Sequence, residues 1–224
     1  MSTFRRKLMA AIPAGEQPLP SYVTDGLLLH LDGIDKGNTS GRWESLVGSA
    51  YYTLTTHSVV EDNAVVMDGA GAISGTGVDH ITWNAGTIEV VMQKLTDSFS
   101  VIIYADFQGL GLVGGSTGVA FGVGTDLNNQ WSLSESIPQE PFTISLNIER
   151  AILNGVSCGV ARSKNNWGNS SAACPIGGRL SGTNKFYSNV RIFAIRKYNR
   201  LLTEAEMLQN QRVDNIRFNL GLNI

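Results

Sequence analysis

The sequence predicts an all-β antiparallel sandwich with one short C-terminal helix. Charged residues make up only 16% of its 224 residues, against about 25% in typical globular domains. Glycine (25) and proline (6) together occupy 31 positions, which favours many turns over long helices. Short apolar runs alternate with turn residues, without the strand–helix–strand alternation of parallel sheets. A chain of this length can form one all-β domain with its own core.

Predicted strands follow one another at short intervals from residue 26 onward. Ile88, Val90 and Met92 occupy alternate positions within residues 87–93, and this period of two predicts a half-buried strand. The dipeptide Asn154-Gly155 favours the positive φ angles of a two-residue turn, so it predicts a hairpin. The predicted strands are residues 26–31, 51–56, 64–67, 87–93, 99–105, 118–123, 142–148, 151–153, 156–161 and 189–195.

A glycine-rich stretch lies between two of these strands. Glycines stand at positions 109, 111, 114, 115 and 118. No Gly-Lys-Ser/Thr follows them, so the stretch is not a phosphate-binding P-loop. We expect a glycine-rich bend or a long loop there.

The single predicted helix begins after residue 203. Thr203 and Glu206 have the spacing of a capping box, in which each side chain binds the backbone amide of the other residue. Leu202 and Met207 occupy the two positions of a hydrophobic staple around this start. A helix that begins at Thr203 is therefore specified by its own local sequence.

The apolar residues of this helix suggest where it packs. Ala205, Leu208 and Ile216 lie on one helical face. We expect the helix to run to about Asn215 and to pack against the edge of the sandwich.

Basic residues concentrate in the last part of the chain. Arg191 and Arg196 are an odd number of positions apart, so in a regular strand they would point to opposite faces. We expect most of these basic side chains to be solvated or paired with Glu204, Glu206 and Asp214. The basic residues are Arg191, Arg196, Lys197, Arg200, Arg212 and Arg217.

Charge and hydropathy exclude some partners. Lys and Arg number 17 against 19 Asp and Glu, so we expect no nucleic-acid partner. No run approaches the roughly 18 apolar residues of a membrane span, and residues 8–12 fall short of a signal-peptide core. These features predict a protein made in a cytoplasm and not exported by the general route. The pairing of Cys158 and Cys174 stays open between a disulfide and two buried thiols.

Residues 1–20 differ from the rest of the chain. They contain Arg5, Arg6 and Lys7, together with prolines at positions 13, 18 and 20 that forbid a continuous helix. We expect two parts: an N-terminal tail of residues 1–20 that docks onto a partner, and a β domain of residues 21–224.

Five segments of the chain carry a family-like pattern. Residues 189–206 read NVRIFAIRKYNRLLTEAE, residues 25–35 DGLLLHLDGID, residues 43–48 WESLVG, and two shorter motifs are Met67-Asp68-Gly69 and Leu153-Asn154-Gly155. Over about residues 22–218 these segments resemble the concanavalin A-like jelly rolls of the laminin-G-like group. The resemblance implies two antiparallel sheets stacked as a jelly roll, with Trp43 in the core.

The start of the chain carries a second resemblance. Residues 4–9, FRRKLM, resemble the "FRRRLM" openings of structural proteins from phages and prophages of gut bacteria. This implies a virion component assembled in the host bacterial cytoplasm: a head fibre, a decoration protein or a tail-associated protein. It also implies a homo-oligomer that docks onto other virion proteins. The docking residues would be Phe4, Arg5, Arg6, Leu8 and Met9.

Catalytic patterns are not evident in the sequence. Hydrolases of the concanavalin A-like group carry paired carboxylates in an "ExDxxE" strand, but Val91 and Ile137 stand where a second carboxylate would follow Glu89 and Glu135. The histidines, at positions 30, 57 and 80, suggest no Ser-His-Asp arrangement, and we expect them to be structural. We expect no catalytic residues and no enzymatic activity.

Four aspartates at predicted turns raise the question of a calcium site. Asp32, Asp35, Asp68 and Asp126 stand at predicted turns, and carboxylate oxygens from loops suit Ca²⁺. Aspartate also favours turns for its own local hydrogen bonds, and this interpretation is preferred. We therefore expect no cofactor and no metal site.

Two polar loops have the composition of a sugar-binding site. A sugar needs an aromatic platform surrounded by hydrogen-bonding groups. Trp167 with Asn165, Asn166 and Asn169 is one candidate, and Trp131 is a second. The alternative is that each tryptophan covers the core while the amides form turns.

Together these features predict a non-enzymatic virion structural protein. Its tail would dock onto the particle, and its jelly roll would face outward and bind glycans on the host surface. The alternative is a bacterial carbohydrate-binding module or surface adhesin, and a glycoside hydrolase ranks third. No membrane partner is expected.

Overall fold

The computed structural model describes most of the chain beyond the N-terminal tail. The described residues are 20–35, 41–78, 86–96, 100–105, 108–113, 118–123, 131–133, 137–147, 149–161, 175–179 and 186–224. They form strands and one α-helix, and no helix among them is long and apolar enough to cross a membrane. Most of the predicted tail therefore lies outside the described residues.

Eighteen strands precede the helix in the described part of the chain. The first nine are β1 (Leu27–Asp32), β2 (Arg42–Glu44), β3 (Tyr51–Thr53), β4 (Ser58–Glu61), β5 (Ala64–Asp68), β6 (Ser74–Thr76), β7 (Thr87–Lys94), β8 (Ser100–Ala105) and β9 (Gln108–Val113). The others are β10 (Gly118–Val123), β11 (Trp131–Leu133), β12 (Phe142–Leu146), β13 (Ala151–Leu153), β14 (Val156–Ser157), β15 (Gly159–Ala161), β16 (Gly178–Arg179), β17 (Phe186–Tyr187) and β18 (Asn189–Tyr198). The helix, α1, spans Glu204–Phe218.

An eight-stranded sheet forms the main layer of the sandwich. Its order is β14-β13-β12-β7-β18-β5-β4, and β1 also pairs with β18. Strand β18 is long enough to pair with β7 on one side, and with β5 and then β1 on the other. The other sheets are β15-β11-β10-β9-β8, β2-β3-β6 and β16-β17. These antiparallel sheets and the C-terminal helix confirm the predicted all-β sandwich.

The predicted hairpin at Asn154-Gly155 is confirmed, but the strand after it is divided. Asn154 and Gly155 have φ angles of 50° and 84°, and β13 pairs with β14 across them. The predicted strand 156–161 leaves the large sheet at Cys158, and its second half, β15, pairs with β11 in the five-stranded sheet. Cys158 is 1% exposed, so the change of sheet happens inside the core.

The glycine-rich stretch is partly a strand, which corrects the expected bend or loop. Gly109 and Gly111 lie in β9, which pairs with both β8 and β10. The stretch alternates glycine with Leu110 and Leu112, a period of two that suits a strand. The number of glycines favoured a bend, whereas their alternation with leucine favours a strand.

The core lies between the inner face of the large sheet and the smaller sheets. Trp43 and Tyr52 enter it from the three-stranded sheet, and both are fully buried. Trp43 also donates its indole N–H to the backbone oxygen of Asp32 over 3.2 Å, which satisfies its polar group. The expected core position of Trp43 is confirmed.

The predicted start of α1 is confirmed in its details. The hydroxyl of Thr203 accepts a hydrogen bond from the amide of Glu206, and the Glu206 carboxylate accepts from the amide of Thr203. Leu202 and Met207 belong to one buried cluster, as a hydrophobic staple requires. The helix runs past the expected Asn215 and ends with Asn219 in the left-handed conformation, at φ 51°.

The packing face of α1 differs from the prediction. Ala205 is exposed and Ile216 is 50% exposed. The helix lies across the outer face of the large sheet, rather than at its edge, and contacts it mainly through polar residues. The buried residues of α1 are Met207, Asn210, Gln211 and Asp214.

A β-bulge in β18 overturns the expected separation of Arg191 and Arg196. The register against β7 shifts between Ile192 and Ala194. Because of the extra residue, Arg191 and Arg196 face the same side of the sheet, away from the core that contains Ile192. The strict alternation of a regular strand does not hold across a bulge.

Arg196 is the centre of a buried ion-pair network beneath α1. Its Nε donates to Glu89 over 2.9 Å, and its terminal nitrogens donate to both oxygens of Asp214 over 2.7 and 2.5 Å. All three side chains are 0% exposed. Asp214 also accepts hydrogen bonds from the hydroxyls of Tyr22 (2.9 Å) and Thr143 (3.1 Å). The network thus joins β7, β12, β18, α1 and the segment before β1.

Polar neighbours complete the coordination of Glu89. Its carboxylate accepts hydrogen bonds from Ser145 (2.9 Å) and Asn210 (2.8 Å), and Gln211 donates in turn to Ser145. Burial raises the pKa of Glu89, while the charge of Arg196 opposes that rise.

The prediction that β7 is a half-buried strand is wrong. Glu89 and Val91 are fully buried, so both faces of β7 are covered.

His30 lies at the margin of this network. Its side chain is 8% exposed, and its ring meets the ring of Tyr22 edge-on at 5.0 Å. Burial, together with the positive charges of Arg196 and Arg217, lowers the pKa of His30 to about 3. The imidazole of His30 is therefore neutral at neutral pH.

We predict that Arg196→Met lowers the free energy of unfolding by about 3–5 kcal/mol, because it leaves two buried carboxylates without their counter-charge. Urea denaturation measures the loss. Arg200→Met is the matched control, since Arg200 binds the carboxylate of Glu206 near the surface and surface ion pairs contribute about 1 kcal/mol or less. Equal losses in the two variants would contradict the central role of Arg196.

We also predict that His30→Phe flattens the acid side of the stability profile. The unfolded chain protonates His30 near pH 6.5 and the folded protein only near pH 3. Between these values the unfolded state binds more protons, so stability falls as the pH falls. The variant should therefore lose about 3 kcal/mol less than the natural chain between pH 7 and pH 4. Urea denaturation at several pH values tests this, and parallel profiles would refute it.

Candidate functional site

The sugar-binding residues predicted from composition are largely not described. Asn165, Asn166, Trp167 and Asn169 lie outside the described residues, as do the docking residues of the tail at positions 4, 5, 6, 8 and 9. Trp131 begins β11, and its backbone pairs with Val119 and Ala161. These assignments stay predictions.

The aspartates at predicted turns bind groups of the chain itself. One oxygen of Asp32 accepts from the amides of Ile34 and Asp35, and the other accepts from Arg217 over 2.7 Å. Arg217 also donates to Asp35 over 2.8 Å. Within the described ranges, no group of three or more His, Cys, Asp or Glu residues could hold a metal ion, and Asp126 lies outside them.

Asp68 likewise serves its own turn. It accepts hydrogen bonds from the amide of Ala70 (2.8 Å) and from the ring of His57 (3.0 Å). The bond to His57 is the main reason that the pKa of Asp68 is lowered. Local hydrogen bonding therefore accounts for this aspartate.

Glu89 and Asp214 share one cation, but they are closed to substrates. Both carboxylates bind Arg196 and are fully buried beneath α1. A glycosidase needs two carboxylates on either side of a bound sugar. These two can serve the fold but cannot reach a sugar at the surface.

The three-stranded sheet presents the most promising surface in the described part of the chain. Residues on its solvent side are aligned by the register of β2 with β3 and of β3 with β6. We call this surface the tyrosine face. Its six residues are Arg42, Glu44, Tyr51, Thr53, Ser74 and Thr76.

A simple alternation in the sequence builds the tyrosine face. The middle residue of each strand turns inward, and these residues are Trp43, Tyr52 and Gly75. A Cβ at Gly75 would lie 2.6 Å from the side chain of Val78 and 3.1 Å from the ring of Tyr52, so only glycine fits there. With Trp43 and Tyr52 fully buried, the outward residues stand on a rigid base.

The side chains of this face are available for a ligand. The guanidinium of Arg42 lies over the ring of Tyr51, 4.2 Å from its centroid. Across the described residues, the carboxylate of Glu44 and the hydroxyls of Thr53 and Ser74 bind no protein group. An aromatic ring is thus surrounded by a cation, an anion and hydroxyls that have unused hydrogen-bonding capacity.

Sequence reasoning did not find this face. Its strands are three residues long, which is too short for a periodic pattern to stand out. Tyr51 was recognised as part of a strand and Trp43 as a core residue. The signal that could have found the face is the position of Arg42 and Glu44 on either side of Trp43, because adjacent residues of a strand point to opposite faces.

Comparison with known proteins identifies a fold but no family. The chain matches no protein-family model, and the comparison with curated proteins found no match. It is similar in structure to Trypanosoma rangeli sialidase in complex with sialic acid, with 14% identity and a TM-score of 0.65, covering 92% of this chain and 35% of the sialidase chain.

A second similarity is to the receptor binding domain of botulinum neurotoxin C/D mosaic serotype. The identity is 13% and the TM-score 0.59, covering 86% of this chain and 52% of that one. This chain thus spans about a third of the sialidase chain and about half of the toxin chain. At such low identity, both similarities show the fold alone.

Proposed function

We propose that this chain is a non-enzymatic carbohydrate-binding β-sandwich domain and that the tyrosine face is its binding surface. The observation that carries the proposal is the set of polar side chains around Tyr51. These side chains are held on a rigid base and bind no other part of the described chain. A pyranose has an apolar face of C–H groups and a rim of hydroxyls. The C–H face suits the flat surface formed by Arg42 and Tyr51 together, and the hydroxyl rim suits carboxylate and hydroxyl partners.

The similarities in fold support this proposal. One neighbour is a sialidase in complex with sialic acid, and another is a receptor binding domain. Glu89 and Asp214, the fully buried carboxylates that bind Arg196, are closed to solvent and cannot act on a sugar at the surface. A glycoside hydrolase therefore ranks below a binding domain, and incubation with mixed polysaccharides should release no sugar.

We predict that Tyr51→Thr weakens glycan binding at least tenfold. The change removes the ring that supports the guanidinium of Arg42 but keeps a residue that suits a strand. The measurement is binding of the full chain to an array of bacterial surface glycans. Tyr187→Thr is the matched control, since Tyr187 is also half-buried but lies in β17, and it should bind normally.

A second variant, Trp167→Ala, separates the two candidate surfaces. If Trp167→Ala abolishes binding while Tyr51→Thr does not, the loop around Trp167 is the site and the tyrosine face is not. Melting temperatures of all variants, measured alongside, exclude unfolding as the cause of a loss.

We further propose that the domain is displayed on a phage virion, with residues 1–20 docking onto other virion proteins and the chain forming a homo-oligomer. The support is the resemblance of residues 4–9 to the openings of phage structural proteins. A bacterial carbohydrate-binding module or adhesin is the alternative. Repeated copies would turn weak contacts with host glycans into firm attachment.

We predict that full-length protein is oligomeric and that a 21–224 truncation is a folded monomer. The truncation keeps Tyr22 and Val23, which bind Asp214 and Asn210 of α1, so the domain should stay intact. Light scattering gives the two molar masses and circular dichroism checks the fold. Two monomers would favour the free-standing binding module, and an unfolded truncation would refute the division at residue 20.

A further inference from the structure

Arg42 differs from most described arginines in what its guanidinium contacts. Five other arginines each bind at least one carboxylate, and these are Arg150, Arg191, Arg196, Arg200 and Arg217. Arg42 instead stacks over the ring of Tyr51, and none of the described carboxylates lies within 4.0 Å of its nitrogens. Its charge is therefore neither buried nor neutralised by a partner.

Stacking on an aromatic ring prepares a guanidinium for one kind of ligand. The contact with Tyr51 restrains the position of the guanidinium, while its N–H donors stay open to a ligand. These donors form a fork that matches the two oxygens of a carboxylate. The guanidinium of Arg42 is therefore held in place before a ligand arrives, which lowers the entropic cost of binding.

We infer that the glycan bound by the tyrosine face is acidic, and that Arg42 binds a carboxylate of the sugar. This inference rests on the proposed function of that face and names the class of its ligand. Neighbouring strands are about 4.8 Å apart and alternate residues of a strand about 7 Å apart. Six side chains on three strands therefore cover roughly 10 by 7 Å, the area of one or two sugar rings.

Glu44 fixes the orientation of such a sugar. It lies directly across from Tyr51, whereas Arg42 lies across from Thr53. The carboxylate of Glu44 repels the acid group of the ligand and accepts hydrogen bonds from hydroxyls. The acid group of the ligand is therefore directed to the guanidinium of Arg42, and the sugar hydroxyls to the carboxylate of Glu44.

The test compares acids with their methyl esters. Calorimetry with the full chain measures binding of oligogalacturonate and oligosialic acid, and of the methyl-esterified form of each, which keeps the sugar but loses the charge. We expect at least one acid to bind tenfold or more tightly than its ester. Arg42→Gln should abolish that preference, and Arg42→Lys should restore only part of it, because lysine keeps the charge but lacks the fork.

Arg212→Gln is the matched control. Arg212 is exposed on α1 and binds no carboxylate in the described part of the chain, so its replacement should leave the preference unchanged. Esters or neutral glycans that bind as well as the acids, with Arg42→Gln unaffected, would overturn the acidic ligand while the glycan-binding function stands. Failure of every glycan, charged or neutral, would overturn both.

Discussion

The buried guanidinium of Arg196 is the interaction on which the arrangement of α1 and the large sheet depends. Two carboxylates, from β7 and α1, bind it without contact with water. Removing such charges from water costs several kcal/mol per ion, and only close geometry offsets the cost. The polar face of α1 can therefore be satisfied in one position only. A helix with an apolar contact face could shift along the sheet at little cost. Helix α1 would lose buried hydrogen bonds and ion pairs if it shifted.

The features that sequence could predict were those determined by neighbouring residues. Turn residues and period-two patterns located most of the strands, and the capping box of Thr203 and Glu206 located the start of α1. The bulge in β18 depends on the partner strand, so counting positions from Arg191 to Arg196 failed. The packing face of α1 failed for a related reason. Asn210 and Asp214 are buried because their partners lie on distant strands, and no local pattern shows this.

The candidate site was harder to predict than the fold. It combines residues from positions 42 to 76 that only the cross-strand register brings together. Composition led instead to the loop of Trp167, where amides and an aromatic ring are adjacent in sequence. Both sets of residues have a chemistry that suits a sugar. The tyrosine face stands on the buried side chains of Trp43 and Tyr52, which gives its groups fixed positions before any ligand binds.

Residues 21–23 are bound to α1, and these contacts fix the side on which the chain enters the domain. The backbone of Ser21 accepts a hydrogen bond from Gln209, and that of Val23 donates to Asn210, so the chain enters the domain beside α1. The tyrosine face lies on the other side of the core from α1, on the outer surface of the three-stranded sheet. A partner that binds the chain close to residue 21 would therefore lie on the side of α1, away from the tyrosine face. The point where the chain enters the domain and the surface proposed to bind a ligand are thus separated by the full thickness of the sandwich.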